Sequence, residues 1–388
     1  MVPIKELLSA ETVAFIHKNR NTKIADLMLR MPSFTIDAKW VAAQIEGWQK
    51  AALKLPLWAH REGIVYPIRL SMEQCSSEKT AIYKSTIVQG ANAVDLTGGF
   101  GVDTFFLAKS FSNITYIEQQ EELAHIAAHN FKILGRENIT VQTGNSDELL
   151  RSVDGPIDLI YLDPARRKDT QKVFRLSDCE PNAIALQDEY FSISHQILIK
   201  TSPMLDITEA TRQLKGVAEI HIISIDHECK EVLYLLKKGS IEEPLFVCMH
   251  DYKNKQERFT FHLSEENQYK APLSEPLTYL YEPNSSILKA GAFNSITKGY
   301  PVFKLNTSTH LYTSSELVEE FPGRIFTIET IAGYDKKELL KLLPDGKANI
   351  QTRNFPDSVE AIRKKTGLKD GGSAYLFAVT LLNNKKNI

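Results

Sequence analysis

Residues 91–110 have the sequence ANAVDLTGGFGVDTFFLAKS, in which an apolar stretch, a glycine-rich turn and a second apolar segment follow one another. The stretch that ends at Asp95 predicts a buried strand, and the segment after the turn predicts a helix. Between them, Gly98, Gly99 and Gly101 permit positive φ angles and let a ligand approach the backbone closely. This order of strand, turn and helix indicates a ligand site at the carboxyl edge of a parallel sheet.

The spacing of the glycines argues against two common nucleotide ligands. A dinucleotide loop of the pattern GxGxxG, counted from Gly99, would need its third glycine where the chain has Thr104. No GK[ST] sequence follows, which excludes a phosphate-binding P-loop. A carboxylate just before the turn, at Asp95, suits a ligand with a cationic amino-acid end. S-adenosylmethionine carries an ammonium and a sulfonium and no pyrophosphate, so the pattern favours it.

The next two strands supply further groups for such a ligand. Glu118 ends the second strand, 23 residues after Asp95, where an acid can accept hydrogen bonds from both ribose hydroxyls. Asn145 follows the third strand, where an amide can bind the adenine edge, and Asp147 is the competing candidate. The residues that we expect to contact S-adenosylmethionine are Asp95, Thr97, Gly98, Gly99, Phe100, Gly101, Asp103, Glu118, Gln119, Asn145, Ser146 and Asp163.

Apolar strands alternate with amphipathic helices between residues 88 and 238, which predicts a parallel sheet with helices on both faces. The fold class is therefore α/β, with a Rossmann-like seven-stranded sheet typical of methyltransferases. The last two strands are expected to form an antiparallel hairpin through His227–Lys230. The expected strands are 92–96, 114–118, 139–142, 157–162, 196–200, 218–225 and 232–237.

Four regions are expected along the chain. Residues 1–70 have apolar side chains at helical spacing and predict an N-terminal helical region. Residues 71–240 form the methyltransferase domain, residues 241–320 a strand hairpin with a small α+β unit, and residues 321–388 a second small α+β domain.

The charge is unevenly distributed. The net charge is −2, but residues 1–70 carry +4, residues 324–388 carry +5 and the middle of the chain carries −11. Basic ends of this kind suggest an anionic partner, although an ordinary solvated surface explains them equally well. The four cysteines have no CxxC spacing, which favours free thiols in a cytoplasmic protein without a structural metal. No run of about 18 apolar residues predicts a membrane span.

Beyond these patterns, DLTGGFG resembles motif I of the class I S-adenosylmethionine-dependent methyltransferases, and DLTGGFGVDTF is similar to the loop of a bacterial small-subunit ribosomal RNA guanine-N2 methyltransferase family. The layout also resembles a bacterial family of proteins designated methyltransferases that have a ferredoxin-like insert and a C-terminal THUMP-like domain. LSMEQCSSEKTAIYKS, LDPARR and KANIQTRNFPDSVEAIRKKTGL carry this second resemblance, which covers nearly the whole chain. It implies an RNA methyltransferase that acts on a base of ribosomal or transfer RNA.

The acceptor side of the site is predicted at the end of the fourth strand, where the chain has Asp163, Pro164, Ala165 and Arg166. Methyltransferases that act on exocyclic amines usually show [DN]-P-P-[FYW], in which the aromatic side chain stacks on the base. Here Asp163, Pro164 and Arg166 are the candidate catalytic residues. Arg166 could stack through its guanidinium plane, or bind a phosphate together with Arg167; a purely structural loop is the alternative.

Two other functions stay open at this level. One is a non-catalytic RNA-binding protein whose Rossmann domain is vestigial, and the other is a methyltransferase of a protein or small molecule. The sequence leaves open the target RNA and nucleotide, the methylated atom, the choice between Asn145 and Asp147, and the oligomeric state.

Overall fold

The computed structural model describes residues 2–28, 36–153, 155–166, 175–382 and 386–387, and only the backbone of Arg69 and Arg166. The chain divides into two compact units. The first comprises residues 1–218 and 233–242, and the second comprises residues 219–232 and 243–388.

In the described chain a run of helices precedes the first strand, and strands and helices follow one another after it. The helices are α1 (Ile4–Leu7), α2 (Ala10–Asn19), α3 (Ile24–Met28), α4 (Ala38–Lys54), α5 (Pro56–Ala59), α6 (Arg69–Gln74), α7 (Glu78–Ile87), α8 (Val102–Leu107), α9 (Glu121–Ile133), α10 (Ser146–Leu150), α11 (Ala183–Ile193), α12 (Ile207–Gln213), α13 (Leu263–Gln268), α14 (Ser285–Ala290), α15 (Ile296–Gly299), α16 (Lys336–Leu342) and α17 (Val359–Thr366). The strands are β1 (Gly90–Asp95), β2 (Phe111–Glu118), β3 (Ile139–Thr143), β4 (Ile157–Leu162), β5 (Ala165–Arg166), β6 (Cys179–Glu180), β7 (Ser194–Thr201), β8 (Val217–Ile225), β9 (Glu228–Lys237), β10 (Leu245–Tyr252), β11 (Lys255–His262), β12 (Tyr279–Pro283), β13 (Phe303–Asn306), β14 (Thr309–Ser314), β15 (Gly323–Thr327), β16 (Asn349–Arg353), β17 (Tyr375–Thr380) and β18 (Lys386–Asn387).

The large sheet has the strand order β11-β10-β8-β9-β7-β4-β1-β2-β3. Strands β7, β4, β1, β2 and β3 pair in parallel, so their carboxyl ends meet at one edge, as the alternating pattern predicts. All seven expected strands are present, and the Rossmann-like α/β class is confirmed. Two further strands extend the sheet: β10 pairs in parallel with β8, and β11 closes a hairpin on β10. The side chains of β10 are almost wholly buried and mostly apolar, which explains its place inside a sheet.

The N-terminal helices share a core with the helices that follow β1 and β2. Trp58 is fully buried, and its ring meets the rings of Phe100 and Phe105 edge to face, with centroids 4.8 Å and 5.6 Å away. Leu7 and Phe131 belong to the same apolar cluster. The helical region is therefore part of the packing that supports the turn after β1.

The second unit contains two smaller sheets, with strand orders β13-β14-β12-β15 and β16-β17-β18. Helices α16 and α17 pack on the latter through Leu339, Ile350, Ile362 and Ala378. Among the described helices of the chain, none combines the length and apolar character that crossing a bilayer requires.

Candidate active site

The glycine-rich turn after β1 is shaped by close packing against β2 and α9. A Cβ atom at Gly98 would lie 2.2 Å from the Tyr116 ring, and one at Gly101 would lie 2.5 Å from the Phe131 ring. Gly101 also has φ +85° at the start of α8. At Gly99, by contrast, a Cβ atom would have its nearest neighbour 3.7 Å away. The turn thus packs tightly on the protein at two glycines and leaves space for a ligand at Gly99.

Both backbone polar groups of Gly99 are fixed by β2. Its N–H donates to Oε2 of Glu118 at 2.9 Å, and its carbonyl accepts from the hydroxyl of Tyr116 at 2.5 Å. The other carboxylate oxygen of Glu118 accepts from the backbone N–H of Gln120 at 2.8 Å. Glu118 is therefore held at the edge of the turn by two backbone donors, and each of its oxygens retains a lone pair for a further donor.

Asp95 supports the turn from inside. Its side chain is 1% exposed; one oxygen accepts from the Thr97 backbone N–H at 2.9 Å and the other from the Thr104 hydroxyl at 2.5 Å. Burial raises the pKa of Asp95 to about 7, while the hydrogen bonds from Thr104 and Thr97 act in the opposite direction. Thr104, the residue that breaks the dinucleotide pattern, is thus a hydrogen-bond donor to the strand-end acid.

Two further expected donor contacts differ in their surroundings. The Phe100 side chain is buried in the apolar core against Trp58 and Tyr66, so only its backbone belongs to the turn surface. Gln119 is exposed at the end of β2.

The segment after β3 presents both candidates for binding adenine. Asn145 is exposed and caps α10: its side-chain oxygen accepts from the backbone N–H groups of Asp147 and Glu148. Asp147 has a buried Oδ1 atom without a hydrogen-bond partner in the described part of the chain, and burial is the main cause that raises its pKa. An unsatisfied buried oxygen is the kind of group that a ligand N–H would satisfy. Ser146 begins α10 between the two candidates.

The loop after β4 is tied directly to the glycine-rich turn. The backbone N–H of Asp163 donates to Oγ1 of Thr97 at 2.6 Å. The carboxylate of Asp163 is 36% exposed, and its Oδ2 atom lies 2.6 Å from Nζ of Lys200 at the end of β7. The expected donor turn and the expected acceptor loop are therefore brought together at the carboxyl edge of the sheet.

Behind Asp163 lies a group of charged and hydroxyl side chains that we call the polar cluster. Its members are Ser76, Lys84, Asp103, Tyr161, Asp163 and Lys200. At its centre, Asp103 accepts from the hydroxyls of Ser76 and Tyr161, both at 2.7 Å. Its carboxylate also lies 3.1 Å from Nζ of Lys84 and 3.5 Å from Nζ of Lys200.

The electrostatics of this cluster follow from burial and pairing. Burial alone would raise the pKa of Asp103, but the ammonium groups of Lys84 and Lys200 outweigh it and hold that pKa well below its ordinary value. The Lys84 side chain is fully buried and that of Lys200 is 9% exposed. Asp103, expected as a ligand contact, pairs with these two lysines, and its contact with a ligand stays a prediction.

The other expected acceptor residues are described only in part. Ala165 and Arg166 form the short strand β5, which pairs with Cys179–Glu180. The Arg166 side chain and all of Arg167 lie outside the described residues, so their expected role stays a prediction. Pro164 is partly buried next to Asp163.

Sequence reasoning missed Lys200 and Tyr161 as parts of the site. Both lie at or near the ends of apolar strands, in ILIK and DLIYLD, where the sequence signal is that of a buried strand. A lysine that ends a buried parallel strand is the one indication that was available, because charged residues are rarely buried without a partner.

Comparisons with known proteins agree with this architecture. Residues 279–322 match a family model described as a ferredoxin-like domain, and residues 323–387 match one described as THUMP domain-like. A crystal structure of a protein from Porphyromonas gingivalis W83, designated a methyltransferase, is 34% identical, covers 99% of this chain and 97% of its own, and superposes with a TM-score of 0.87.

More distant structures match only part of the chain. An rRNA methylase from Streptococcus thermophilus is 16% identical over 41% of this chain and 94% of its own, with a TM-score of 0.31. M. capricolum TrmK, solved with S-adenosylhomocysteine, is 9% identical over 42% of this chain and 68% of its own, with a TM-score of 0.33.

Proposed function

This chain, which has a ferredoxin-like and a THUMP domain-like region, belongs to the methyltransferase family of the Porphyromonas gingivalis protein, and on that premise we propose that it methylates RNA with S-adenosylmethionine as the methyl donor. The observation that carries the proposal is the hydrogen bond between Thr97 and Asp163, because it joins the donor turn to the acceptor loop.

The residues present fit the proposed donor. The space next to Gly99 allows a ligand to approach the backbone, and Glu118 beside it can accept from ribose hydroxyls. Asp147 has an unsatisfied oxygen for the adenine amine, which favours it over Asn145, whose amide oxygen already caps α10. When bound, S-adenosylmethionine supplies an electrophilic methyl group. The turn residues Thr97, Gly98 and Gly101, with Gln119 and Ser146, complete the proposed site, while Asp95 and Phe100 shape it from behind.

Asp163 is the proposed acceptor-binding residue. It is half-exposed beside the donor turn, and its oxygen can accept the N–H of a base amine and so orient that nitrogen for in-line attack. Pro164 shapes the loop, and Arg166 would hold the base or a phosphate of the acceptor RNA. The reaction then depends on alignment of two bound substrates and exclusion of water more than on a strong base.

The THUMP domain-like region supports RNA as the substrate class. Residues 324–388 carry a net charge of +5. In the last turn of α17, Arg363 pairs with Asp370 and Lys365 lies 3.9 Å above the Tyr334 ring, while Lys364 is exposed. We propose that this region binds RNA phosphates and positions the base at the methyltransferase site.

A transfer experiment tests the proposal. Purified full-length protein is incubated with tritiated S-adenosylmethionine and RNA from a strain that lacks the gene, and labelled nucleosides are identified by mass spectrometry. We expect one modified nucleoside that is absent from the deletion strain and restored in vitro. Binding of S-adenosylhomocysteine without transfer to RNA would favour a protein or small-molecule acceptor. Binding of RNA with neither S-adenosylhomocysteine binding nor methyl transfer would favour a non-catalytic RNA-binding protein.

A further inference from the structure

We propose that Lys200 is a positioning residue for Asp163: its ammonium group fixes one carboxylate oxygen and leaves the other oxygen for the methyl acceptor. This inference rests on the proposed function, because it gives Asp163 the acceptor-binding role. In this role Lys200 acts on the acceptor through Asp163.

The distances within the polar cluster assign Lys200 to Asp163. Its Nζ atom lies 2.6 Å from Oδ2 of Asp163, 3.0 Å from Oγ of Ser76 and 3.5 Å from Oδ2 of Asp103. The shortest of these contacts is the one to the acceptor loop. An ammonium–carboxylate contact of this length is a charge-assisted hydrogen bond, which is stronger and more directional than a neutral one.

The two oxygens of Asp163 have different surroundings. Oδ2 is paired with Lys200, whereas Oδ1 has no hydrogen-bond partner within the described part of the chain. A carboxylate with one oxygen fixed has lost most of its rotational freedom before the substrate arrives. Such preorganisation lowers the cost of aligning a reacting group.

The sheet provides the geometric reason for this pairing. β4 and β7 are neighbouring parallel strands, and Leu162 is in register with Ile199. The residues that follow, Asp163 and Lys200, therefore lie side by side at the carboxyl edge. Lys200 is held at this edge because its side chain is almost fully buried.

A purely structural role would be the neutralisation of Asp103, and Lys84 already serves that purpose. Lys84 lies closer to Asp103 than Lys200 does, at 3.1 Å against 3.5 Å. Ser76 and Tyr161 add two hydrogen bonds to the same carboxylate. Lys84 is thus a natural control, because it belongs to the polar cluster and its ion pair at 3.1 Å is with Asp103.

The test is a double-mutant cycle in the full-length protein with Lys200→Met, Asp163→Asn and the double variant, assayed for methyl transfer to RNA from the deletion strain. If Lys200 acts through Asp163, Lys200→Met lowers kcat roughly 10- to 100-fold with little change in KM for RNA. The double variant is then no slower than Asp163→Asn alone. We expect S-adenosylhomocysteine affinity, measured by calorimetry, to stay within about threefold of wild type, because Glu118 and Asp147, which are proposed to bind the ribose and the adenine, do not belong to the polar cluster.

Lys84→Met and its combination with Asp163→Asn form the control cycle, in which we expect lower thermal stability and additive rate effects. Additive effects for Lys200 as well would overturn the positioning role. A second readout does not depend on activity: crystal structures of wild type and Lys200→Met with S-adenosylhomocysteine compare the Asp163 side chain. If the Asp163 side chain has the same conformation in both crystal structures, the positioning role of Lys200 is wrong. If wild type fails to methylate RNA, the proposed function is contradicted, and the crystallographic comparison still tests the role of Lys200.

Discussion

Oγ1 of Thr97 accepts a hydrogen bond of 2.6 Å from the backbone N–H of Asp163, so the Thr97 side chain joins the turn after β1 to the loop after β4. The Thr97 backbone N–H in turn donates to buried Asp95. A chain of contacts thus runs from the interior of β1 to the residue proposed to bind the acceptor.

Thr97→Val should weaken this connection. The variant keeps the shape of the side chain but leaves the Asp163 N–H without its acceptor, which costs about 1 kcal/mol of unfolding free energy. We expect slower methyl transfer with a smaller loss of S-adenosylhomocysteine affinity. Thr97→Ser retains the hydroxyl and should behave like wild type in both assays; equal losses in Ser and Val variants would show that the hydroxyl is unimportant.

Asp163→Ala should slow turnover strongly while leaving donor binding intact. Loss of the oxygen that orients the acceptor costs roughly 10²-fold or more in kcat when reacting groups must be held in line. Calorimetry with S-adenosylhomocysteine and a thermal melt establish that the variant is folded and binds the donor. A folded variant with full transfer to RNA would remove Asp163 from the mechanism.

Glu118→Ala should reduce donor affinity at least tenfold, because it removes both the proposed ribose acceptor and the group that fixes the Gly99 N–H. Exposed Glu122, in the first turn of α9, offers a matched control with the same change of charge. Calorimetry with S-adenosylhomocysteine compares the two. Equal affinities for both variants would place the ribose elsewhere.

The stability of the first unit should depend on pH through Asp95. Its pKa of about 7 in the folded protein lies above the ordinary 3.8, so the folded state holds the proton more tightly than the unfolded chain. This stabilising contribution is complete at low pH and is lost as the pH rises from about 4 to about 7. Asp95→Asn remains neutral, so its stability relative to wild type should improve between pH 5 and pH 8 by up to about 3 kcal/mol.

Urea unfolding followed by tryptophan fluorescence measures this difference, because Trp40, Trp48 and Trp58 all lie in the first unit. The same difference between variant and wild type at both pH values would mean that Asp95 does not titrate in this range.

Lys364→Ala should weaken RNA binding uniformly across sequences. Loss of one phosphate contact reduces the slope of log affinity against log salt concentration by about 1. Lys238→Ala, an exposed lysine outside the THUMP domain-like region, should leave the slope unchanged. Fluorescence anisotropy with a labelled RNA at several salt concentrations measures both. An unchanged slope for Lys364→Ala would exclude this lysine from the RNA contact.

Local sequence patterns predicted the strands well. The range 157–162 matches β4 at both ends, since an apolar run flanked by polar residues marks a buried parallel strand. The sequence also predicted the turn after Asp95, because closely spaced glycines indicate positive φ angles or a close approach to the backbone. The sequence did not predict that β10 extends the large sheet by pairing with β8. The residue pattern of a hairpin is the same whether the hairpin stands alone or joins a larger sheet.

The polar cluster could not be derived from one sequence. Asp103 and Lys200 are almost a hundred residues apart, and only the strand order brings them together. Phe100 also depends on a residue far away in the sequence. It was expected to contact the ligand, but its ring packs inward against Trp58, which lies much earlier in the chain.

The contact between Trp58 and Phe100 also bears on how the protein is made. Residues 2–66 leave the ribosome before the sheet does, yet Leu7 and Trp58 share their apolar cluster with Phe100 and Phe131. Those partners are synthesised only later, so the helices that precede the sheet lack this part of their apolar core until Phe100 and Phe131 have emerged. This helical region therefore completes its fold only after β1, β2 and α9 have emerged, although it precedes them in the chain.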